Sequence, residues 1–146
     1  MSAKMTLSIA SDHGGFTLKD TLISYLTTQH PSIEVIDQGT HSTESVDYPD
    51  YAKKVCQAIE SGQSNLGILV CGSGIGMSIC ANRFSHIRAA LVYDTTTAQL
   101  TKAHNNANVI CLGERTTPQK TAIQIVETWL NTDFEGGRHQ KRIQKL

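Results

Sequence analysis

Short apolar runs alternate with longer amphipathic stretches along nearly the whole chain. Each run has the length of a strand, and turn residues separate it from a stretch whose apolar positions recur at helical spacing. The predicted strands are residues 6–11, 33–36, a run that ends at Cys71, 87–92 and 109–112. Strands that alternate with helices indicate a parallel sheet with helices on both faces. The pattern therefore predicts an α/β fold, a three-layer α/β/α sandwich around a five-stranded parallel sheet.

The stretches between the runs predict the helices. The first carries Phe16, Leu22 and Leu26 at helical spacing and ends before Pro31, because the residue preceding a proline is disfavoured in a helix. Further helices are predicted from Pro49 or Asp50, from the turn after Cys71 to about residue 83, over residues 95–104, and from Pro118 onward. We expect residues 1–146 to form a single domain with a helical extension at its carboxyl end.

Composition narrows the class of partner. The chain has 146 residues, of which 39% are hydrophobic, and this is enough to fill the core of one domain. Thirteen basic residues balance thirteen acidic ones, so the net charge offers no general attraction to nucleic acid or to an anionic membrane. No apolar run approaches the roughly 18 residues of a membrane span, and the amino end lacks the apolar core of a signal peptide. We expect a cytoplasmic protein that acts on a small molecule.

The four cysteines are expected to be free thiols. They form no Cys-x-x-Cys pair, and each lies within or at the end of a predicted helix or strand. Cys56, Cys80 and Cys111 have apolar neighbours and are expected in the core. Cys71 differs from them, because a turn rich in backbone donors follows it and would stabilise a thiolate.

The candidate site centres on the stretch Cys71-Gly72-Ser73-Gly74-Ile75-Gly76-Met77-Ser78. Three alternate glycines between a strand and a helix leave the N–H groups of the turn open to an anion. The turn lacks the lysine of a P-loop, and Met77 stands where the dinucleotide fingerprint requires a glycine. Asp94 lies near the distance expected of a ribose-binding acid, so a nucleotide-binding regulatory module is one alternative. Another is that the glycines only let the helix pack closely on its strand.

Other candidate residues follow a predicted strand or end a helix. Asp12 and His13 come after the first strand, where Asp12 could equally cap the next helix. Arg115 follows the fifth strand, at the position where open parallel sheets bind ligands. His104 ends a helix, a placement that the helix dipole would also explain. We expect one edge of the sheet, that of the strands' carboxyl ends, to gather Asp12, His13, Cys71, Ser73, His104 and Arg115.

The carboxyl-terminal segment 134–146 is unusually basic. Gly136 and Gly137 precede Arg138 and Arg142, which are four residues apart and so share one face of a helix. An arginine near the start of a helix opposes the helix dipole unless an anion lies nearby. The segment is therefore either a solvated basic tail or a phosphate clamp, and the spacing favours the clamp.

Together these residues suit proton transfer beside a carbonyl group. A thiol base, a set of N–H donors, a histidine acid and arginines for phosphate would suit proton transfer next to the carbonyl of a sugar phosphate. No histidine or cysteine pair has the short spacing of a zinc site, so we expect no metal.

The motifs resemble the family of ribose-5-phosphate isomerase B, which includes allose- and galactose-6-phosphate isomerases. The resemblance covers nearly the whole chain. Its motifs are Ser11-Asp12-His13-Gly14-Gly15-Phe16, Asp47-Tyr48-Pro49, Cys71-Gly72-Ser73-Gly74-Ile75-Gly76, His104-Asn105 and Glu135-Gly136-Gly137-Arg138-His139-Gln140. It implies a Rossmann-like fold, a homodimer or dimer of dimers with shared active sites, and cofactor-free interconversion of ribose 5-phosphate and ribulose 5-phosphate.

The resemblance also implies residue roles. His104 would open the furanose ring with help from Asp12. Cys71 would carry the proton between C2 and C1 through an enediolate, and Ser73 would support the reacting oxygens. The N–H groups expected to hold the negative charge are those of Gly74, Ile75, Gly76, Met77 and Ser78. The phosphate would bind His13, Arg115, Arg138 and Arg142, and the remaining expected substrate contacts are Tyr48, Gly72, Asn105 and His139.

Two positions bear on how closely the chain follows this family. Another branch lacks the cysteine and takes its base from a glutamate at the position of Met77, which cannot accept a proton. Ser73 stands where threonine also occurs in the family, and both side chains supply a hydroxyl. A hexose-6-phosphate isomerase, acting on allose or galactose phosphate with the same residues, is the main alternative.

Overall fold

The computed structural model describes residues 4–146, which form alternating strands and helices. The strands are β1 (Thr6–Ser11), β2 (Glu34–Asp37), β3 (Leu66–Cys71), β4 (Ala89–Leu91) and β5 (Val109–Gly113). The helices are α1 (Phe16–Gln29), α2 (Tyr48–Glu60), α3 (Ile75–Ala81), α4 (Thr95–Ala103), α5 (Gln119–Asn131) and α6 (Arg138–Ile143). The predicted α/β fold with a five-stranded parallel sheet is confirmed.

The strand order in the sheet is β2-β1-β3-β5-β4, and every neighbouring pair is parallel. After β1 the chain adds β2 on one side and then crosses back to place β3 on the other side of β1. A reversal of this kind opens a crevice at the carboxyl ends of the two central strands. Residues that follow β1 and β3 therefore lie at the position where sheets of this type bind ligands.

Successive side chains of each strand point to opposite faces of the sheet, so the core consists of two clusters, one on each face. Ile68 and Val70 of β3 pack in the cluster that contains Trp129 and residues of α1, α4 and α5. Leu69 and Cys71 face the opposite way, into the cluster formed with α2 and α3. Because side chains alternate with a period of two, the last side chain of β3 points toward α3. The sheet thus directs the Cys71 thiol to the helix that follows its own strand.

A buried ion pair fixes the backbone at the carboxyl end of β1. The Lys19 ammonium is fully buried and lies 2.9 Å from both carboxylate oxygens of Asp37. Asp37 also accepts the Gly39 N–H at 2.9 Å, and the Gly39 carbonyl in turn accepts the Ser11 N–H at 2.7 Å. Burying a lysine is costly unless the charge is paired. The pair therefore links α1, β2 and the residue just before Asp12.

The fourth strand is shorter than predicted. The sequence pattern indicated residues 87–92, whereas β4 spans Ala89–Leu91. Ile87 belongs to a turn, in which its N–H donates to the Phe84 carbonyl at 3.1 Å. The side chain of Asn82 exchanges two hydrogen bonds with the backbone of Ala89, both at 2.9 Å, and so occupies the open side of this edge strand. An apolar pattern alone does not reveal that a side-chain amide makes the hydrogen bonds that a neighbouring strand would otherwise make.

Within residues 4–146, every helix is too short or too polar to cross a membrane.

Candidate active site

A cavity of about 330 Å³ opens at the carboxyl edge of the sheet. It is lined by Asp12, Tyr48, Cys71, Gly72, Ser73, Gly76, Arg115 and Thr116. These residues come from the end of β3, from the loops that follow β1, β3 and β5, and from the first turns of α2 and α3. The structure therefore brings together seven of the residues that the sequence predicted for one site, and it adds Thr116.

Cys71 is held against a backbone donor. Its side chain is almost buried, and the Gly74 N–H donates to Sγ at 3.1 Å. Gly74 has a φ of 78°, and a Cβ at this position would lie 2.7 Å from Leu91 Cδ1, so both the conformation and the space require glycine. This donor fixes the position of the sulfur at the wall of the cavity, and the thiolate form of a cysteine is the one that can accept a proton from carbon.

The first turn of α3 offers fewer free donors than expected. The Ile75 N–H donates to Ser73 Oγ at 3.2 Å, and the Ser78 N–H donates to the Gly74 carbonyl at 3.1 Å. Ser78 thus departs from the expectation that its N–H would hold a substrate's negative charge. Gly76 and Met77 lie in the first turn, where N–H groups have no acceptor within the helix. The Met77 side chain is fully buried, so this residue offers a ligand its backbone alone.

Two side chains form walls of the cavity because glycines let them approach. A Cβ at Gly76 would lie 2.7 Å from the Tyr48 ring, so the ring rests directly on the backbone of α3. A Cβ at Gly72 would lie 3.3 Å from Arg115 Nη1, which places this guanidinium beside the glycine turn. The Arg115 N–H also donates to the Gly72 carbonyl at 3.0 Å. The cation is consequently held by the same turn that carries the thiol.

Asp12 lines the cavity and also has a structural role. Its Oδ1 accepts the N–H groups of Gly14 at 2.9 Å and Gly15 at 3.2 Å, so the capping interpretation is correct as well. His13 is not among the residues that line the cavity; its Nδ1 accepts the Val46 N–H at 3.1 Å. His13 therefore fixes the polar loop before α2, and its predicted contact with phosphate stays a prediction.

Glu114 is a residue of this edge that the sequence analysis missed. Its Oε1 accepts the Leu18 N–H at 2.7 Å, in the first turn of α1, and its own N–H donates to the Cys71 carbonyl at 2.9 Å. The carboxylate thus caps a helix that begins almost a hundred residues earlier in the chain. No local sequence signal marks a cap that comes from a distant loop.

The prediction that His104 shares an edge with Cys71 is wrong. Helix α4 starts after β4 and runs back along the sheet, and His104 lies just beyond its last residue, five positions before β5 begins. In the same loop, the Asn108 N–H donates to the carbonyl of Arg88, which precedes β4. His104 and Asn105 therefore lie at the edge formed by the amino ends of the strands. The sequence shows that His104 ends a helix. Helix α4 begins at the carboxyl edge of the sheet and ends at the amino edge, so its last residues lie away from Cys71.

His104 belongs to a second group of predicted residues. A cavity of about 280 Å³ is lined by His104, Asn105, His139, Arg142, Ile143 and Leu146. The rings of His104 and His139 stack, with centroids 4.2 Å apart and planes inclined by 11°. Arg138 and Arg142 begin and nearly end the short helix α6. The Arg142 guanidinium on the wall of this cavity suits an anion such as phosphate.

Glu135 connects the two histidines and was not predicted as a site residue. Its Oε2 lies 3.7 Å from His104 Nε2 and its Oε1 lies 3.4 Å from His139 Nε2. The Glu135 N–H donates to the Ala103 carbonyl at 2.9 Å, which anchors the segment before α6 on the end of α4. A signal was present in the sequence, since Glu135 precedes His139 by four residues.

Burial lowers the pKa of His139 below its ordinary value of 6.5, and the neighbouring charge of His104 lowers it further. The side chain is 8% exposed, and its Nε2 has no hydrogen-bond partner within the described part of the chain. The Glu135 contact is too poorly aligned to count as such a bond and only partly offsets these effects. The surroundings of His139 therefore favour the neutral imidazole.

Arg88 holds the loop that carries His104 and Asn105. Its guanidinium donates to the carbonyls of Asn105 at 3.1 Å and Asn106 at 2.9 Å. Asn106 has a φ of 45°, a conformation in which asparagine is more readily accommodated than most residues. Arg88 also borders a larger cavity of about 810 Å³ along β4, in which Asn105 is the one predicted site residue. The predicted base, Cys71, and the predicted acid, His104, line the two smaller cavities.

Comparison with known proteins gives one consistent result. Residues 7–146 match the Ribose/Galactose Isomerase family. Ribose-5-phosphate isomerase B of Escherichia coli is 42% identical over 140 residues, which cover 96% of this chain and 93% of the relative. The solved ribose 5-phosphate isomerase of Thermotoga maritima has a TM-score of 0.93 and 51% identity, covering 98% of this chain and 97% of the other. Ribose-5-phosphate isomerase B of Mycoplasma genitalium, solved with bound ribulose-5-phosphate, has a TM-score of 0.92 and 40% identity. The match covers 99% of this chain and 95% of the other.

The lowered pKa of His139 predicts a pH dependence of stability. Because the unfolded chain binds this proton more readily, the free energy of unfolding falls as the pH drops from 6.5 through the lower pKa of the folded state. In His139→Gln the drop in Tm between about pH 7.5 and about pH 5.5 should be smaller than in the wild type. His41→Gln serves as the control, because the His41 side chain is 73% exposed. Equal pH dependence in all three proteins would contradict the assignment.

Proposed function

We propose that this chain, which belongs to the ribose/galactose isomerase family, interconverts ribose 5-phosphate and ribulose 5-phosphate with Cys71 as the proton-transferring base. The observation that carries the proposal is the Cys71 thiol, which accepts the Gly74 N–H within a cavity at the carboxyl edge of the sheet. Aldose and ketose are isomers, so the reaction requires no electron acceptor. The related isomerase from Mycoplasma genitalium binds ribulose-5-phosphate, which supports the same substrate here.

Proton transfer follows from the geometry around Cys71. The thiolate removes the proton from C2 of the open-chain aldose, and the electron pair moves onto the C1 carbonyl oxygen to give an enediolate. The thiol then returns the proton to C1, and the proton of the C2 hydroxyl passes to the C1 oxygen, so that C2 becomes the carbonyl carbon and C1 carries the hydroxyl of the ketose. The N–H groups of Gly76 and Met77 and the hydroxyl of Ser73 stabilise the negative charge on the oxygens.

Ring opening requires an acid and a base at the furanose oxygens, and His104 is the proposed group. Yet His104 and Cys71 lie at opposite edges of the sheet, and a strand of six residues such as β3 is roughly 20 Å long. A pentose phosphate cannot contact both residues of one chain. We therefore propose a homodimer in which His104, Asn105, His139, Arg138 and Arg142 of one subunit complete the Cys71 site of its partner. Arg115 and His13 would contribute from the subunit that supplies the thiol.

Exposed apolar side chains next to the glycine turn support this assembly. Ile75 and Ile79 on α3 are 51% and 56% exposed, and Tyr93 after β4 is 55% exposed. Apolar residues grouped beside a site are typical of a protein interface. A partner that covered this surface would also bring its own residues to the rim of the Cys71 cavity.

The alternatives are less well supported. A nucleotide-binding module would use Asp94, but its Oδ1 caps α4 by accepting the Thr97 N–H at 2.7 Å, and this bond lowers the pKa of Asp94. A hexose-6-phosphate isomerase would need the same residues, whereas the relatives from Escherichia coli, Thermotoga maritima and Mycoplasma genitalium are named for ribose 5-phosphate. An isomerase assay that compares the phosphates of ribose, allose and galactose, with a chelator present, decides between these substrates.

The proposed mechanism also favours a particular cellular compartment for this protein. A base of this kind must remain a reduced thiol. All four cysteines are free. We propose that the protein works in the cytoplasm, where thiols stay reduced.

Cys71→Ala should abolish isomerisation, because alanine cannot accept the C2 proton. Loss of a general base typically lowers the rate by about 10²- to 10⁴-fold. The measurement is the rate of conversion of ribose 5-phosphate together with exchange of solvent deuterium into the product. Cys80→Ala, which removes a half-buried thiol of the same core cluster, should retain wild-type activity. Near-normal isomerisation by Cys71→Ala would place the base elsewhere.

His104→Asn should impair cyclic ribose 5-phosphate much more than an aldehyde substrate that is already open. Erythrose 4-phosphate cannot close a stable furanose ring, so its isomerisation bypasses the step assigned to His104. The ratio of kcat/KM between the two substrates, measured for wild type and variant, isolates the ring-opening step. Equal losses on both substrates would contradict the assignment.

Shared active sites predict complementation between two inactive variants. Cys71→Ala and Arg138→Ala are unfolded together and refolded as a mixture. If each site combines Cys71 of one subunit with Arg138 of the other, every hybrid dimer has one intact site and one that lacks both residues. About a quarter of all sites should then recover under random pairing. If each site lies within one chain, the mixture stays as inactive as the separate variants.

A further inference from the structure

Three potential metal ligands converge where α4 ends and α6 begins. His104, Glu135 and His139 each offer one ligand atom, and the three atoms lie within 4.8 Å of one another. Glu135 is anchored by its hydrogen bond to the Ala103 carbonyl, and the His139 N–H donates to the Gly136 carbonyl at 3.0 Å. The three residues, here called the His104 cluster, are therefore held by backbone contacts at both of the segments that supply them.

The donor set matches a particular class of ion. Two imidazole nitrogens and one carboxylate oxygen are ligands of zinc sites that leave a fourth position open. Donor atoms bound to one tetrahedral ion lie roughly 3.3 Å apart, given metal–ligand distances of about 2.0 Å. The measured separations of 3.4 Å and 3.7 Å from Glu135 to the two imidazoles approach this value. The two imidazole rings are stacked with an interplanar angle of 11°, so binding one ion requires them to tilt toward each other.

A second observation points to a missing ligand. His139 Nε2 is buried and has no hydrogen-bond partner among the residues that the structure describes, although buried polar atoms normally have one. This orphaned nitrogen lies on the Glu135 side of the ring, toward the carboxylate and the second imidazole. We propose that the His104 cluster is a binding site for a divalent transition-metal ion such as Zn²⁺ or Co²⁺. The ion would satisfy His139 Nε2.

The surroundings limit the affinity of this site. Arg138 and Arg142 are carried on the same short helix, and Arg142 lines the adjacent cavity, so their positive charges oppose a cation. The single negative charge of the cluster comes from Glu135, whose side chain is 55% exposed. A site built in this way exchanges its ion with solvent, and its occupancy depends on the concentration of free metal.

Occupancy has a consequence for catalysis, and this step rests on the proposed function. A metal ion on His104 Nε2 removes the nitrogen that opens the furanose ring. The ion should therefore inhibit the reaction of cyclic ribose 5-phosphate and affect erythrose 4-phosphate less. Short spacings along the sequence predict no metal site, because His104 and His139 meet only in the fold.

The test is a titration with Co²⁺, whose visible absorption reports ligand type and geometry, on the full-length protein. Glu135→Gln is the informative variant, since it preserves shape, removes the charged ligand and changes an exposed side chain. Glu127→Gln is the matched control. Glu127 Oε2 also contacts a histidine, His30 Nε2 at 2.7 Å, but that pair lies outside the His104 cluster. Cys71→Ser controls for binding at the reactive thiol. Tm values without metal establish that each variant is folded.

We expect one Co²⁺ per chain, without the near-ultraviolet absorption of a thiolate ligand. Removing a residue that only contacts a metal ligand typically lowers the metal affinity about tenfold or more. Because Glu135 would be a direct ligand, its loss should weaken binding at least tenfold. Glu127→Gln and Cys71→Ser should bind as the wild type does. Absence of binding, equal affinity in Glu135→Gln, or loss of binding in Cys71→Ser would each overturn the proposal. Because absorption is measured without substrate, its outcome is independent of whether the isomerase assignment holds.

Discussion

The separation between the two edges of the parallel sheet governs the arrangement of this protein. Every strand runs in the same direction, so residues that follow strands meet at one edge and residues that follow helices meet at the other. Cys71 ends a strand and His104 ends a helix. The fold thus holds the thiol and the second group of polar residues apart by the length of a strand. Chemistry that needs both groups on one small substrate requires a second chain, and the exposed apolar side chains on α3 give that chain a surface to contact.

At the carboxyl edge, the site is built from backbone more than from side chains. Gly74 adopts a conformation that places its N–H on Cys71 Sγ, and Gly76 leaves room for the Tyr48 ring to rest on α3. Arg115 and Glu114 are tied by their own N–H groups to the carbonyls of the same turn. Larger residues at these glycines would displace either the base or a wall of the cavity. The alternate glycines therefore serve both close packing and chemistry, two interpretations that the sequence alone left open.

Much of this arrangement could be predicted from the sequence, and the failures share one cause. Strand ends at Ser11 and Cys71 follow from local patterns, and so does the carboxyl-edge cavity that they define. Glu114 caps α1 across almost a hundred residues, and Arg88 secures the carbonyls of a loop that follows the next helix. Such contacts depend on which segments the fold brings together, and periodicity carries no information about that. His104 was assigned to the wrong edge for the same reason, because a local pattern gives an element's end but not its direction in the sheet.

Helix α6 is difficult to explain by stability. Its one buried side chain is His139, whose Nε2 lacks a hydrogen-bond partner and whose pKa is lowered by burial. A helix retained for packing would bury apolar groups, since an unsatisfied buried nitrogen makes folding less favourable. Arg138, at the first position of α6, also opposes the helix dipole.

Features that disfavour folding persist where a ligand or a partner compensates for them. An anion near the arginines would offset the opposed dipole, and a ligand on the imidazoles would satisfy His139. The end of the chain therefore has the composition of a binding surface attached to the core by Glu135.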